Sequence, residues 1–314
     1  MKQLFPLGYS SVENIKEVLF DSNHLSIDVL REDLNHPIIQ GNKFRKLQYN
    51  ILNAQKKGNG TLLSFGGAYS NHIAAVAAAG KEYGFKTIGV IRGEETLPLN
   101  PTLARCKQDG MEFHYVERST YKMKNTQDFK EYLRSKFGSF YLIPEGGTNY
   151  YAVNGCMEII EDYSQYDFIC CPIGTGGTVA GITLANQGKS KILGFSSLKG
   201  GEFLNQEIRE HIMTVTNDEE LTAEVLQSFE LITEFHFGGY AKFTNELLNF
   251  VRNFHSNHQI KWDIIYNGKM AFGVYELIKA GFFPKNSRIL LVHTGGIQGL
   301  AGIEQRNNMT IYED

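Results

Sequence analysis

Phe168-Ile169-Cys170-Cys171-Pro172-Ile173-Gly174-Thr175-Gly176-Gly177-Thr178 joins an apolar run to a glycine-rich turn. A short, continuously apolar run suits a parallel strand covered on both faces. From Thr178 to Gln187 the pattern predicts a helix. Between the two, the glycines let several backbone N–H groups converge on one spot. The start of the helix adds partial positive charge there, so the turn reads as an anion site, most often for phosphate. A dinucleotide fingerprint would need a glycine where Val179 stands. A P-loop would need one at Thr183, ahead of Gly188-Lys189-Ser190, and that tripeptide follows a helix instead of opening one. A tight turn without a ligand is the competing reading of this loop alone.

The same strand–turn–helix grammar extends in both directions. Strands are predicted at Thr61–Phe65, Thr87–Ile91, Glu112–Val116, Phe140–Ile143, Ile192–Phe195, Asp263–Tyr266 and Ile289–His293, besides Phe168–Pro172. Helices are predicted at Asn71–Tyr83, Asn100–Gln108, Thr126–Lys136, Ala241–Asn253 and Ala271–Ala280. Such alternation predicts an α/β architecture with right-handed crossovers, in one large sheet or two. Glu94–Pro101 reads as a loop and Thr216–Leu221 as an acidic connector.

The 314 residues are 42 % hydrophobic and 21 % charged, with a formal net charge of −3. That charge gives no reason to expect nucleic acid or an anionic membrane as a partner. No window is long and apolar enough for a membrane span, and the first residues lack the pattern of a secretory signal. A soluble, cytoplasmic protein is expected. Cys170 and Cys171 are adjacent in a strand and should point to opposite faces. With Cys106 and Cys156 they read as buried hydrophobes, and no metal site is expected. His255 and His258 form the one close histidine pair and read as a solvated surface.

Four more segments place glycine at a turn that could hold chemistry. Gly66-Gly67-Ala68-Tyr69-Ser70-Asn71-His72 follows a strand, and Ser70 or Asn71 could simply cap the next helix. The functional alternative is that this helix start holds a substrate carboxylate. Gly41-Asn42-Lys43-Phe44-Arg45-Lys46 carries lysines that are either solvated or tuned for imine formation. Tyr266-Asn267-Gly268-Lys269 and His293-Thr294-Gly295-Gly296 each follow an apolar run.

Taken in order, these segments resemble the fold-type-II pyridoxal 5′-phosphate (PLP) enzymes. Within them they resemble the family of 1-aminocyclopropane-1-carboxylate (ACC) deaminases and D-cysteine desulfhydrases. Gly41–Leu47, which reads Gly-Asn-Lys-x-Arg-Lys-Leu, is the most specific match. The resemblance implies that Lys43 is the lysine that binds PLP as a Schiff base. It implies that Ser70 contacts the substrate carboxylate or assists proton transfer, and that Asn71 bonds the cofactor's 3′-oxygen. Gly174, Thr175, Gly176, Gly177 and Thr178 match the phosphate cradle. Tyr240 and Tyr266 match two active-site tyrosines, and Thr294 the residue facing the pyridine nitrogen. The fold implied is tryptophan synthase β-like, with two open, mostly parallel sheets and the cofactor in the interdomain cleft. The large domain would comprise residues 1–46 and 155–314, and the small inserted domain 47–154. A homodimer is implied as well.

The chemistry implied is removal of an amino group from a small amino acid, with the freed amine of Lys43 acting as base beside the α-carbon. One position departs from the pattern. ACC deaminases carry a glutamate after the tyrosine, whereas this chain has Asn267. Without a carboxylate to keep the ring nitrogen protonated, the electron sink is weaker. That favours β-elimination from D-cysteine, giving pyruvate, ammonia and sulfide, over opening of the ACC ring. ACC deamination to 2-oxobutyrate and ammonia stays open as the alternative, and so does a non-catalytic PLP or amino-acid binder.

Overall fold

The computed structural model describes residues 10–160 and 163–313. Among the described residues ten strands run in chain order as β1 (Ser11–Ile15), β2 (Ser26–Arg31), β3 (Thr61–Gly67), β4 (Lys86–Arg92), β5 (Met111–Val116), β6 (Tyr141–Ile143), β7 (Phe168–Ile173), β8 (Lys191–Ser196), β9 (Phe229–Ile232) and β10 (Arg288–Val292). They form a six-stranded sheet of order β1-β2-β10-β7-β8-β9 and a four-stranded sheet of order β5-β4-β3-β6. Every pairing is parallel except β1 with β2. This is the expected α/β class with two mostly parallel sheets.

The apolar run that opened the sequence reading is central in the larger sheet. Ile169 through Ile173 are all buried. Cys170 packs into the core cluster containing Trp262, Met270 and Leu291, while Cys171 packs into the one containing Val179, Ile182 and Leu290. Helices therefore cover both faces of the sheet, as a continuously apolar strand requires. All four cysteines are free and buried. In the smaller sheet the alanine-rich helix Asn71–Tyr83 lies close against β4. A Cβ on Gly80 would stand 2.2 Å from the Thr87 methyl, so only glycine permits that approach.

Several elements differ from expectation for identifiable reasons. Asp263–Tyr266 is a turn, because the buried Asp263 carboxylate accepts from the backbone N–H groups of Ile265 (2.9 Å), Tyr266 (2.7 Å) and Asn267 (2.9 Å). Those N–H groups are thereby lost to any ladder, and helix Asn267–Lys279 starts directly afterwards. Strand β2 escaped notice because Asp28 interrupts its apolar run. The carboxylate is buried and accepts from Tyr166 Oη (2.7 Å) and Asn14 Nδ2 (2.7 Å), both far along the chain or on another strand. Helix Asn42–Lys56 starts inside what reads as a glycine turn. The acidic connector is shorter than expected, since Asp218 caps a helix at Glu219–Leu226. The helix expected from Ala241 begins at Asn245, capped by Thr244, because Ala241 takes a left-handed φ of 55°. His258 is half-buried and bonded to Glu17 Oε1 at 2.7 Å, not solvated.

Helices Asn42–Lys56 and Tyr150–Met157 pack so closely that a Cβ on Gly155 would stand 2.0 Å from the Arg45 carbonyl oxygen. The expected domain boundaries, 46/47 and 154/155, fall inside these two helices. Among the described residues no helix is long and apolar enough to cross a membrane.

Candidate active site

The carboxyl ends of β3, β4, β6, β7 and β10 open onto one cavity of about 940 Å³. This is where open α/β sheets bind ligands. Lys43, Ser70, Asn71, Gly174, Thr175, Gly176, Thr178, Tyr240, Tyr266 and Thr294 all line it. Gly177 belongs to the same turn but lies outside the lining, against Thr148; its added Cβ would stand 2.4 Å from the Thr148 methyl.

The basic run sorts itself by helical geometry. Residues three apart share a face of a helix, and a residue two along points elsewhere. Lys43 and Lys46 accordingly turn toward the cavity, while Arg45 turns into the protein. There its guanidinium meets Glu32 with two bonds, Nε to Oε2 (3.0 Å) and Nη2 to Oε1 (2.8 Å). The helix start is fixed from behind. Gly41 adopts φ 67°, and an added Cβ would stand 2.0 Å from the Thr294 carbonyl oxygen, which accepts from Asn42 N–H at 3.1 Å.

Lys43 Nζ donates to Asn42 Oδ1 at 2.9 Å. Burial, reinforced by the nearby positive charge of Lys46, pulls Lys43 from 10.5 down to about 7. Lys46 Nζ donates to the Gly146 carbonyl (3.1 Å) and the Thr148 hydroxyl (3.0 Å), and stands 3.5 Å from Thr175 Oγ1. Burial lowers its pKa too. Among the described residues neither lysine has an acidic partner. Two close ammonium groups shielded from water and unpaired are costly, and an anion placed between them removes that cost.

The glycine turn after β7 meets Lys46 from the opposite side. Gly174 lies against the Tyr266 ring, where a Cβ would stand 3.0 Å from Cε1, and Gly176 takes φ 78°. Helix Gly177–Asn186 has no side-chain cap, which leaves its first N–H groups to a ligand. Asn42 Nδ2 donates to Thr178 Oγ1 at 2.8 Å and ties the lysine helix to this turn.

Ser70 does cap its helix, accepting from Ile73 N–H at 3.3 Å, and its hydroxyl also faces the cavity. Asn71 Oδ1 and His72 Nδ1 are buried without partners. His72 Nε2 is held 2.7 Å from Ser64 Oγ, and burial together with Lys43 and Lys46 keeps the imidazole neutral. Unsatisfied buried polar atoms at a cavity wall are sites where a bound group completes the bonding.

Thr294 N–H and Oγ1–H both donate to Asn267 Oδ1, at 2.8 and 3.1 Å. Asn267 Nδ2 donates to Asp263 Oδ2 and to the Gly295 carbonyl. The Asn267 amide is thus fully used inside the fold and does not line the cavity; the neutral Thr294 hydroxyl does. Tyr240 and Tyr266 have ring centroids 6.1 Å apart. Burial raises the pKa of both phenols, and the hydrogen bond between them raises Tyr266 further while easing Tyr240. Arg92, Arg118, Lys242 and Arg306 line the cavity against one acid, Glu145, which is bonded to Tyr121 Oη (2.8 Å) and paired with Lys124 (3.2 Å).

Sequence reasoning did not assign Lys46, Asn42, Thr148 or Arg92. One signal was available. Glu145-Gly146-Gly147-Thr148 follows the strand at Phe140–Ile143 with the same strand-to-glycine pattern as the other turns. The partners of Lys46 are about a hundred residues away in sequence, which no local pattern exposes.

The residues fit PLP. A buried lysine of lowered pKa, an anion cradle backed by a second lysine, and unsatisfied Asn71 and His72 atoms are matched to its aldehyde, phosphate and ring substituents. A family model described as pyridoxal-phosphate dependent enzyme matches residues 19–295. A putative ACC deaminase of Pyrococcus horikoshii is 28 % identical over 289 residues, covering 88 % of this chain and 87 % of that protein. The mitochondrial bifunctional D-cysteine desulfhydrase/ACC deaminase of Arabidopsis thaliana is 26 % identical over 313 residues, covering 88 % and 74 %. The crystal structure of an ACC deaminase homologue aligns with a TM-score of 0.78 at 27 % identity, covering 95 % of this chain and 92 % of that one. The matched region contains Lys43, the cradle, both tyrosines and Thr294, and the chain belongs to the pyridoxal-phosphate dependent enzyme family.

Proposed function

We propose that this PLP-dependent enzyme is a D-cysteine desulfhydrase-like lyase that converts D-cysteine and water to pyruvate, ammonia and hydrogen sulfide. The observation that carries this reading is the neutral Thr294–Asn267 pair at the cavity wall. Bound PLP supplies an electron sink for the charge left at the substrate's α-carbon. Everything else is done by side chains of this chain. The Lys43 amine, once free, takes the α-proton, and with its pKa near 7 it is both basic enough and sufficiently unprotonated to do so. Ser70 and the start of helix Asn71–Tyr83 hold the substrate carboxylate. The Tyr240–Tyr266 phenols, both protonated at neutral pH, stand ready to give a proton to a departing group.

Roles follow for the remaining groups. Lys46, Asn42 and the turn from Gly174 to Thr178 hold the phosphate, and Asn71 the ring 3′-oxygen. Thr294 faces the ring nitrogen. Its hydroxyl donates to Asn267 Oδ1 and, by turning, can donate to an unprotonated ring nitrogen instead; in neither case does a carboxylate meet that nitrogen. Elimination of a thiolate suits this arrangement, because the leaving group carries the electrons away. The cations at the cavity mouth suit a small carboxylate substrate.

ACC deamination is the second reading, favoured by the names of relatives such as the ACC deaminase of Rhizobium radiobacter, 26 % identical over 296 residues. The division into a large domain (1–46 and 155–314) and a small one (47–154) belongs to the same proposal; each sheet falls within one of these segments. So do a homodimer and a cytoplasmic location. Leu34, Ile38 and Leu52 are exposed apolar side chains of the kind a second copy would cover. The four free, buried cysteines suit a reducing compartment.

Keto-acid release from D-cysteine and ACC, assayed in parallel with a Lys43→Ala control, decides between the two substrates. Pyruvate and sulfide from D-cysteine alone, lost in the control, is the expected result; faster 2-oxobutyrate formation from ACC would reverse the choice. Replacing Lys46 with methionine is expected to weaken PLP binding about 10- to 100-fold, the worth of a charge-assisted bond to phosphate. Equilibrium dialysis checks this, and an unchanged affinity would remove Lys46 from the phosphate site. The rate at which cofactor-free protein takes up PLP should rise with pH to about 7 and then level off. The sign follows from the amine having to be unprotonated, and its lowered pKa makes that form dominant above neutrality. A rate still climbing toward pH 10 would show that Lys43 is not so tuned.

A further inference from the structure

Tyr240 sits in an unusual stretch of backbone. Phe237 (φ 52°), Gly238 (φ 91°), Gly239 (φ 112°) and Ala241 (φ 55°) all occupy the left-handed region, leaving Tyr240 as the one residue from 237 to 241 outside it. Phenylalanine and alanine there carry strain that persists only when the surroundings impose it. The surroundings here are one face of helix Asn267–Lys279. Phe237 packs edge-on against Phe272, with ring centroids 5.0 Å apart, and Phe235 lies where a Cβ on Gly273 would stand, 2.7 Å away. Lys269 completes that face, three and four residues before them. It is 1 % exposed, and its Nζ donates to the carbonyls of His236 (2.9 Å) and Gly239 (2.8 Å), one just before the strained stretch and one in its middle.

We propose that Lys269 is a positioning residue whose ammonium clamps the 236–241 turn and so holds the Tyr240 phenol against Tyr266 in the active-site cavity. Tyr266 immediately precedes the helix that carries Lys269, so a four-residue stretch, Tyr266-Asn267-Gly268-Lys269, sets both phenols. One is placed directly, the other through the clamped carbonyls. An ammonium is suited to this role because it offers three donors, and a buried methylene stem reaches past the helix surface. Without it, the His236 and Gly239 carbonyls keep only their backbone donors, Gly239 N–H and Lys242 N–H, and the strained turn is free to relax.

The clamp is tested in the PLP-loaded protein by hydrogen–deuterium exchange, comparing wild type with Lys269→Met and Lys269→Gln. The amides to follow are Gly238, Gly239 and Lys242, which are bonded within the turn. About tenfold faster exchange there, with β7 and β10 unchanged, is the expected result. Unchanged protection of the turn in both variants would overturn the clamp. Loss of the whole fold in both would overturn it too, since the ammonium would then be supporting the protein at large.

The kinetic consequence rests on the role proposed above for Tyr240. Lys269→Met should lower kcat/KM for pyruvate release from D-cysteine by about tenfold in the wild-type background, and by less than about twofold when Tyr240→Phe is already present. Losses that multiply in the double variant would show that Lys269 does not act through Tyr240. If wild type releases no pyruvate, the reading of substrate fails, and the exchange result still decides the clamp.

Discussion

The contact between Gly41 and the Thr294 carbonyl is the constraint on which the site depends. It brings a residue near the beginning of the chain against the turn after β10, and only a glycine with a left-handed φ fits there. From that point helix Asn42–Lys56 departs at a fixed angle, and its first two turns carry Asn42, Lys43 and Lys46. Helical periodicity then does the sorting. The two lysines face the cavity, and Arg45 is drawn inward by Glu32. A substituted side chain at residue 41 would move all of these groups together.

A second constraint sets the opposite wall. Asp263 accepts from three successive backbone N–H groups and from the Asn267 amide, so a β-branched, apolar segment is folded into a turn. Asn267 in turn receives both donors of Thr294. The acid is therefore present near the cavity but spent on the backbone, and what reaches the surface is a hydroxyl. A buried carboxylate can organise an active site without presenting an oxygen to a ligand there, because its lone pairs are already occupied.

The glycine turns and the strands leading into them were legible because glycine and continuous apolar runs carry local, position-specific meaning. Seven of eight proposed strands are present, among them β3, β7 and β10, whose ends face the cavity. What could not be read locally depended on partners distant in sequence. The helix bearing Lys43 has no side-chain cap to announce it, and its start is fixed by Thr294. Whether Lys46 faced the site or solvent stayed open because Gly146, Thr148 and Thr175 lie far along the chain. Strand β2 was hidden by Asp28, whose partner Tyr166 is equally remote. The Asp263 turn was misread because Ile264 and Ile265 favour strand, and the carboxylate outweighs that preference by capturing three N–H groups.

The central claim is that Lys43, and not Lys46 or Lys269, is the residue joined to the cofactor. Reduction of the PLP-loaded protein with borohydride, followed by proteolysis and mass spectrometry, tests this most directly, since reduction makes the link permanent. The account predicts a single pyridoxyl-bearing peptide with the modification on Lys43. A label on Lys46 or Lys269, or no label on a protein that binds PLP, would contradict it.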